Sequence, residues 1–181
     1  MKAIETPIPD CFIIEPTIFS DDRGTFFESY QKERFESAIG RQVDFVQDNQ
    51  SMSKKGVLRG LHFQEGIHAQ AKLIRVLQGE VLDVIVDIRK DSPAFGTHFK
   101  IFLKASKPQM LFIPRGIAHG FLSLTEETIF SYKCDNYYHQ KAENGIVFND
   151  PDLGIDWEFP QEQMLLSQKD LELPSLKKLG L

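Results

Sequence analysis

Short strand-like segments, separated by turn residues at nearly regular intervals, most strongly constrain what this chain can fold into. The segments are rich in β-branched and aromatic residues, and Gly, Pro, Asp and Ser cluster between them. A turn about every 8–12 residues is typical of an antiparallel sandwich or barrel. Strands are predicted over residues 12–19, 25–30, 57–64, 72–77, 81–89, 98–103, 109–113, 117–124 and 128–135.

A helix is predicted over residues 31–39, because apolar residues recur there and the glycine at position 40 is a common helix stop. The segment 81–87 is nearly apolar on both faces, so the strand it forms should be covered on both sides. No internal repeat or long linker divides the 181 residues. We therefore expect one mainly β domain over residues 1–181, with a few short helices.

Charge and composition exclude several classes of partner. The net charge of −5 argues against bulk binding of nucleic acid, so an anionic ligand would need locally placed cations. No apolar run approaches the roughly 18 residues of a membrane span, and residues 1–10 lack the pattern of a secretory signal. Cys11 and Cys134 have no CxxC spacing, which favours buried thiols in a reducing compartment. We expect a cytoplasmic protein without a nucleic-acid or membrane partner.

The most informative motif is the run Val-Leu-Arg-Gly-Leu-His-Phe-Gln at 57–64, followed by Gln-Ala-Lys-Leu at 70–73. It places His62 and Lys72 on two consecutive predicted strands. A histidine has the one unperturbed side-chain pKa near neutrality, so it can take a proton from carbon. A fixed cation beside it can stabilise the negative charge left behind. The pattern indicates an enzyme that acts on an anionic substrate carrying a carbonyl group.

A second motif, Pro-Arg-Gly-Ile-Ala-His at 114–119, matches the PxGxxH pattern of cupin jelly rolls. The alternative interpretation is a hairpin followed by a hydrogen-bonded histidine. Metal-binding cupins also carry an HxH motif with a following Glu, but this chain has His62-Phe63-Gln64 at that place. A catalytic zinc- or iron-type centre needs at least three ligands, and the sequence does not supply them. The other histidines, at 68, 98 and 139, are expected at the surface.

Two further side chains could move or orient a proton. Tyr132 alternates onto an apolar strand face, where a tyrosine usually packs and hydrogen-bonds its hydroxyl. Opposite a histidine base, however, its phenol could return a proton to carbon from the other face. A carboxylate would orient the imidazole, and Asp170 and Asp83 are equally good candidates by pattern. The polar segment 47–51 is either a loop or a source of amides for a sugar or a pyrimidine.

Together these sequence motifs resemble those of the dTDP-4-dehydrorhamnose 3,5-epimerase family, whose members are cupin-type jelly-roll barrels. The resemblance covers nearly the whole chain. It includes residues 20–24, 26–28, 47–49, 57–64, 70–72, 79–81, 83–87, 114–121, 132–134, 149–157 and 166–170.

The resemblance implies an isomerase that uses no metal and no cofactor. His62 would be the general base, Asp170 its orienting carboxylate and Tyr132 the acid on the opposite face. Lys72 would stabilise the enolate oxygen at C4 of a dTDP-4-keto-6-deoxyhexose substrate. The residues implied in substrate binding are Arg23, Phe26, Glu28, Gln47, Asp48, Asn49, Arg59, His119, Tyr138, Glu143 and Lys169.

The resemblance also implies a homodimer. In the family, N-terminal strands, here within about residues 1–30, are exchanged, so that Arg23 and Glu28 reach the site of a second subunit. The relative orientation of Arg59 and His62 is not fixed by the sequence. By strict strand alternation Arg59 and His62 point to opposite faces, so either a bulge at Gly60 turns both inward or Arg59 serves the rim.

The implied reaction is epimerisation of dTDP-4-dehydro-6-deoxy-D-glucose at C3 and C5, a step toward dTDP-L-rhamnose. The nearest alternative is an epimerase that acts at C3 or C5 alone, for another deoxysugar. From other classes come a metal-dependent cupin and a non-catalytic cupin that binds a sugar nucleotide.

Overall fold

In a computed structural model, which describes residues 1–180, thirteen short strands account for most of the regular structure. The strands are β1 Lys2–Glu5, β2 Phe12–Glu15, β3 Ile18–Asp21, β4 Gly24–Phe27, β5 Gln47–Ser53, β6 Leu58–Gln64, β7 Lys72–Gln78, β8 Glu80–Asp87, β9 His98–Lys104, β10 Met110–Ile113, β11 Ile117–Ser123, β12 Thr128–Cys134 and β13 Glu143–Gly145. The helices are α1 Lys32–Ile39 and α2 Gln168–Leu171, with 3₁₀ turns at Gly66–His68, Gln140–Ala142, Gln161–Gln163 and Leu176–Leu179.

Two antiparallel sheets face each other, as the spacing of the strands predicts. One sheet has the order β1-β2-β10-β7-β12-β5, and the other has the order β13-β6-β11-β8-β9. Consecutive strands often lie in different sheets, which is the connectivity of a jelly roll. β6 and β7, which carry the central motif, are one such pair, so their side chains meet across the space between the sheets.

Apolar side chains fill three layers. The layer between the sheets includes Ile74, Ile85 and Phe130. A second layer, around Leu82 and Trp157, covers the outer face of the five-stranded sheet with the C-terminal segment. The third lies between α1 and the outer face of the six-stranded sheet. Every residue of β8 after Glu80 is buried, which confirms that this strand is covered on both sides.

Helix α1 ends as predicted, because Gly40 adopts a left-handed conformation (φ 71°) and its N–H bonds back to the Glu36 carbonyl. The single strand predicted over 12–19 is wrong in one respect. It is divided into β2 and β3 around Pro16, which has no N–H to donate to a sheet. β3 pairs only with β4, in a separate two-stranded hairpin that exposes Phe19 and Phe26.

β1, β5 and β13 were not predicted as strands. β5 pairs along its whole length with β12, from Ser53–Thr128 to Gln47–Cys134. Its sequence lacks apolar alternation because its inner face lines a polar cleft instead of the core, and so the loop interpretation of residues 47–51 is wrong. Cys11 and Cys134 are both buried and free, as expected. Within residues 1–180, no helix is long and apolar enough to cross a membrane.

Candidate active site

A cleft of about 440 Å³ opens between the two sheets, at the end where the predicted site residues gather. His62 and His119 project from the five-stranded sheet, and Lys72 and Tyr132 project from the six-stranded sheet. A second, smaller cavity is also lined by His62, Lys72 and Tyr132, so the two cavities meet at these side chains. The cleft therefore has a histidine wall facing a wall that holds a lysine and a phenol.

A β-bulge in β6 brings Arg59 and His62 to the same side. His62 is opposite His119 on β11, whereas Arg59 is opposite Phe121, so three steps on β6 match two steps on β11. Gly60 lies in the extra step with φ 127°, and a Cβ there would lie 2.4 Å from the Cα of Gly120. Only glycine fits both the conformation and the close approach. The bulge at Gly60 thus brings the side chains of Arg59 and His62 to the same cleft, against strict strand alternation.

Asp170 is the carboxylate that contacts His62. The Nε2 atom of His62 lies 2.6 Å from Oδ1 of Asp170, which is buried while the imidazole stays about 28% exposed. Burial alone would raise the pKa of Asp170, but the hydrogen bond with His62 and the charge of that ring outweigh it and lower the pKa. An ionised carboxylate can only accept a hydrogen bond, so in the neutral imidazole Nε2 carries the hydrogen and Nδ1 has the lone pair. This tautomer makes Nδ1 the proton acceptor.

The C-terminal segment holds Asp170 in place. Leu165 bonds to β6 and the turn before it, since its N–H donates to the Gly56 carbonyl and its carbonyl accepts from the Leu58 N–H. Ser167 then caps α2 by accepting a hydrogen bond from the Asp170 N–H. The segment is thus attached to the strand that carries His62, which explains how residues 108 positions apart come into contact.

Asp83 pairs with His119 instead of His62. Its Oδ2 lies 3.0 Å from Nε2 of His119, and both residues are buried. Burial lowers the pKa of His119, and the nearby Lys72 and His62 lower it further, against the opposing effect of Asp83. His119 is therefore neutral at pH 7, and its Nε2–H donates to the carboxylate. The choice between Asp83 and Asp170 for His62 depended on tertiary contacts.

Lys72 is the buried cation of the cleft. It is 9% exposed, and no carboxylate among residues 1–180 lies within salt-bridge distance of its Nζ. The ammonium lies 5.7 Å from the ring centroid of Tyr132. Burial lowers the pKa of Lys72, because a low-dielectric site disfavours the charge. An anionic oxygen would be its natural partner.

Tyr132 stays protonated, because burial raises the pKa of its phenol above the ordinary value of 10.0. It lies on β12 with its ring 6.2 Å from that of Phe130. Since His62 belongs to the opposite sheet, a flat ligand between the walls would have a base on one side and an acid on the other. This arrangement suits removal of a proton from one face of a carbon and delivery to the other.

Polar side chains surround the mouth of the cleft. Glu143 forms a salt bridge with Lys169 and accepts a hydrogen bond of 2.7 Å from the Tyr138 hydroxyl. Gln47 accepts from the Tyr138 N–H and donates to Asn49 at 3.0 Å. Arg59 donates from Nε to the Ser53 hydroxyl at 3.3 Å, which leaves its terminal nitrogens free to bind an anion.

Four predicted binding residues lie outside this cleft. Asp48 points to the other face of β5 and pairs with Lys133 at 2.9 Å. Arg23 is 89% exposed and pairs with Asp21 in the β3–β4 hairpin. Phe26 is 71% exposed on the same hairpin, and Glu28 pairs with Arg34.

Some lining residues were not identified from the sequence. Ser51 and Ser167 line the large cavity, and Gln64 and Gln70 line the smaller one. The segment 47–53 is polar at every position except Met52, so it carries no alternation from which Ser51 could have been identified.

No three His, Cys, Asp or Glu side chains converge as a metal-ligand set in the part of the chain that the structure describes. His62 pairs with Asp170 on α2, and His119 pairs with Asp83 on the neighbouring strand β8. His68 and His139 stack on each other with ring centroids 4.0 Å apart, outside the large cavity. His98 is half-buried on β9.

Comparison with known proteins gives a consistent result over the whole fold. A family model described as dTDP-4-dehydrorhamnose 3,5-epimerase matches residues 5–178. A dTDP-4-dehydrorhamnose 3,5-epimerase from Salmonella typhimurium is 53% identical over 176 residues, covering 97% of this chain and 96% of the relative.

Two solved structures are similarly close. The crystal structure of dTDP-4-dehydrorhamnose 3,5-epimerase from Elizabethkingia anophelis superposes with a TM-score of 0.95 at 50% identity, covering 98% of this chain and 97% of the other. A dTDP-6-deoxy-D-glucose-3,5-epimerase from Legionella pneumophila, in complex with dTDP-4-keto-L-rhamnose, gives a TM-score of 0.92 at 47% identity, covering 97% and 93%.

Proposed function

This chain belongs to the dTDP-4-dehydrorhamnose 3,5-epimerase family, and we propose that it converts dTDP-4-dehydro-6-deoxy-D-glucose into dTDP-4-dehydro-L-rhamnose by inverting C3 and C5. This cupin-type jelly roll provides the two walls that the reaction needs. The observation that carries the proposal is the His62–Asp170 pair on one wall facing Lys72 and Tyr132 on the other. The reaction is a step in the biosynthesis of dTDP-L-rhamnose.

The mechanism begins with proton abstraction beside the ketone. Nδ1 of His62 takes the proton from C3 or C5, and Asp170 stabilises the imidazolium that forms. The electron pair moves onto the C4 oxygen, where Lys72 stabilises the enolate. Fixed charge in a site of low dielectric is typically the largest single contribution to such a step.

Inversion requires protonation from the other face. The phenol of Tyr132 donates its proton to the carbon, the enolate collapses to the ketone and the tyrosinate is reprotonated from solvent. His62 loses its proton to solvent, and the cycle repeats at the second carbon. A positioned acid and a positioned base each contribute roughly 10²–10⁴-fold.

Substrate binding is assigned to the rim and floor of the cleft. Arg59 suits the diphosphate, because its planar fork matches phosphate oxygens. Asn49 and His119 are placed to help hold the sugar, and Gln47, Tyr138, Glu143 and Lys169 line the nucleotide-sugar site. This use of cations fits an anionic ligand on a chain with a net charge of −5.

The test is to incubate the chelator-treated protein with dTDP-4-keto-6-deoxyglucose in D₂O and follow C3 and C5 by NMR. Deuterium at both carbons, with L-configured product trapped by a 4-ketoreductase, is the expected result. Deuterium at one carbon would identify a single-position epimerase. Activity lost on chelation and restored by a metal would favour a metal-dependent cupin, and tight binding without exchange would favour a binding protein.

Replacing Tyr132 with phenylalanine should separate the two proton transfers. His62 can still form the enolate and return a deuteron to the same face, so solvent exchange with retained configuration should persist. Product formation should fall by roughly 10²–10⁴-fold, because the acid is lost. Tyr137→Phe is the matched control, since Tyr137 is exposed and outside the cleft. Equal loss of exchange and inversion in Tyr132→Phe would remove Tyr132 from the role of acid.

We also propose a homodimer in which each subunit completes the other's site. The β3–β4 hairpin contributes no lining residue to the cleft of its own chain within residues 1–180. It nevertheless carries Arg23 and Phe26, which the family resemblance assigns to substrate binding, and it exposes two phenylalanines. Exposed apolar residues on a projecting hairpin favour contact with another chain.

Mixing two inactive variants should test this exchange. His62→Ala damages the cleft and Arg23→Ala damages the hairpin, so a mixed dimer holds one intact site and one doubly damaged site. Refolding the two together should restore about a quarter of wild-type activity, because half the dimers are mixed and each has one working site. A mixture no more active than the separate variants would mean that Arg23 acts within its own subunit.

We propose that the protein works in the cytoplasm. Its two cysteines are buried and unpaired, which fits a reducing compartment. Burial raises the pKa of Cys11 to about 12 and that of Cys134 to about 11, so neither thiol is poised to form a disulfide.

A further inference from the structure

The inner face of β5 carries one polar side chain that nothing in the mechanism uses. Gln47, Asn49 and Ser53 on this face all have partners, as described above. The hydroxyl of Ser51 is buried and has no hydrogen-bond partner among residues 1–180. It is therefore the exception on a face whose other polar groups are satisfied.

The cross-strand neighbour of Ser51 offers no hydrogen-bonding side chain. Ser51 lies opposite Phe130 in the β5–β12 register. The ring of Phe130 stacks on Phe121 with centroids 4.0 Å apart, and both line the same cavity as Ser51. A buried hydroxyl beside phenyl rings loses its hydrogen bonds with water and receives none in return, so it destabilises the free protein.

Ser51 lines the cleft, but its hydroxyl has almost no accessible surface in the position that it takes in the free protein, so it must rotate about the Cα–Cβ bond to meet a ligand. A ligand oxygen would then supply the missing hydrogen-bond partner. We propose that Ser51 is a substrate-binding residue whose hydroxyl forms a hydrogen bond with an oxygen of the nucleotide sugar. This inference rests on the proposed function, and it adds a contact that the family resemblance does not assign. The oxygen belongs either to the sugar or to the diphosphate, because Ser51 shares the cavity with both His62 and Arg59.

The position also gives Ser51 a role in selectivity. A site that forms a hydrogen bond with a substrate oxygen discriminates against an analogue that lacks it, because the protein group then stays unpaired. With the oxygen on the sugar, we expect Ser51 to favour the oxygenated sugar nucleotide over an analogue that lacks that oxygen.

Ser51→Ala tests the proposal through two readouts that should move independently. Removing an unsatisfied hydroxyl should leave Tm unchanged or raise it. At the same time, kcat/KM should fall about tenfold, the usual effect of one neutral hydrogen bond to a ligand. Ser131→Ala is the matched control, since Ser131 lies on the neighbouring strand β12 and outside the cleft, and both readouts should stay at wild-type values.

Calorimetric titrations with dTDP and dTDP-glucose identify the source of the oxygen. Equal weakening of both ligands in Ser51→Ala assigns the contact to the diphosphate, and weakening of dTDP-glucose alone assigns it to the sugar. Unchanged affinity and unchanged kcat/KM would overturn the proposal, as would a loss of activity that follows a fall in Tm. Wild-type protein that binds these ligands but does not epimerise would refute the proposed function, while the titrations would still decide the role of Ser51.

Discussion

Replacement of His62 by alanine is expected to lower the rate of epimerisation by roughly 10²–10⁴-fold, because no other base replaces it on that face of the substrate. The neighbouring His119 faces the same cleft, but its Nε2 is held by Asp83 and its pKa is lowered by burial. The measurement is deuterium incorporation at C3 and C5 in D₂O, which should disappear at both carbons. Affinity for dTDP should stay close to the wild-type value.

Two controls make this result specific. His98→Ala removes a half-buried histidine of β9, outside the cleft, and should retain full activity. Added imidazole should partly restore exchange in His62→Ala, because the substitution leaves space beside Asp170. Turnover retained in His62→Ala without imidazole would show that the base is another group, and His119 would then be the first candidate.

Replacement of Lys72 by methionine is expected to lower the rate by about 10²–10³-fold, because the enolate loses its only adjacent cation on that wall. Unlike Tyr132→Phe, this change should reduce solvent exchange and inversion equally, since the enolate is common to both. The fold should not suffer, because methionine fills a similar volume and removes an unpaired buried charge. Exchange, inversion and Tm are the three measurements.

The pH profile gives a second test of Lys72. The proposed role of Lys72 requires the ammonium form, and burial lowers the pKa of Lys72 below the ordinary 10.5. Activity should therefore decline on the alkaline side, and the decline should begin at a lower pH than the pKa of an ordinary lysine would predict. This alkaline decline should be missing in Lys72→Met. Lys104→Met, which removes the lysine paired with Glu80, should leave rate and profile unchanged. A persisting alkaline decline in Lys72→Met would assign it to another group.

Local patterns predicted the strands well where one face is buried. The strands of the central motif and the end of α1 at Gly40 follow from apolar alternation and from a glycine that alone accepts a left-handed turn. β5 escaped prediction because its inner residues face a cleft. Hydrophobic periodicity reports burial against a core, so a strand that borders a binding site carries a weaker signal.

The residues of the site were identifiable individually, but their pairing was not. By pattern, Asp83 and Asp170 were equal candidates to pair with His62. Asp83 contacts His119 because β11 lies beside its strand, and Asp170 contacts His62 because the C-terminal segment is attached to β6. Likewise, strict alternation places Arg59 and His62 on opposite faces of β6, and one extra residue in that strand brings both side chains to the same face. Each of these contacts joins residues that are distant in sequence or depends on a local break in regular geometry.

The sequence by itself determined a mainly β fold and the family, and it singled out His62, Lys72 and Tyr132 as candidate catalytic residues, because residue type and strand periodicity are local properties. Only the tertiary structure decided that His62 and Tyr132 lie on opposite sheets, which carboxylate contacts each histidine, and that the Ser51 hydroxyl has no partner among residues 1–180. The physical reason is that a hydrogen bond or a buried polar group is defined by what surrounds it in space. Those surroundings arise only when the two sheets pack together.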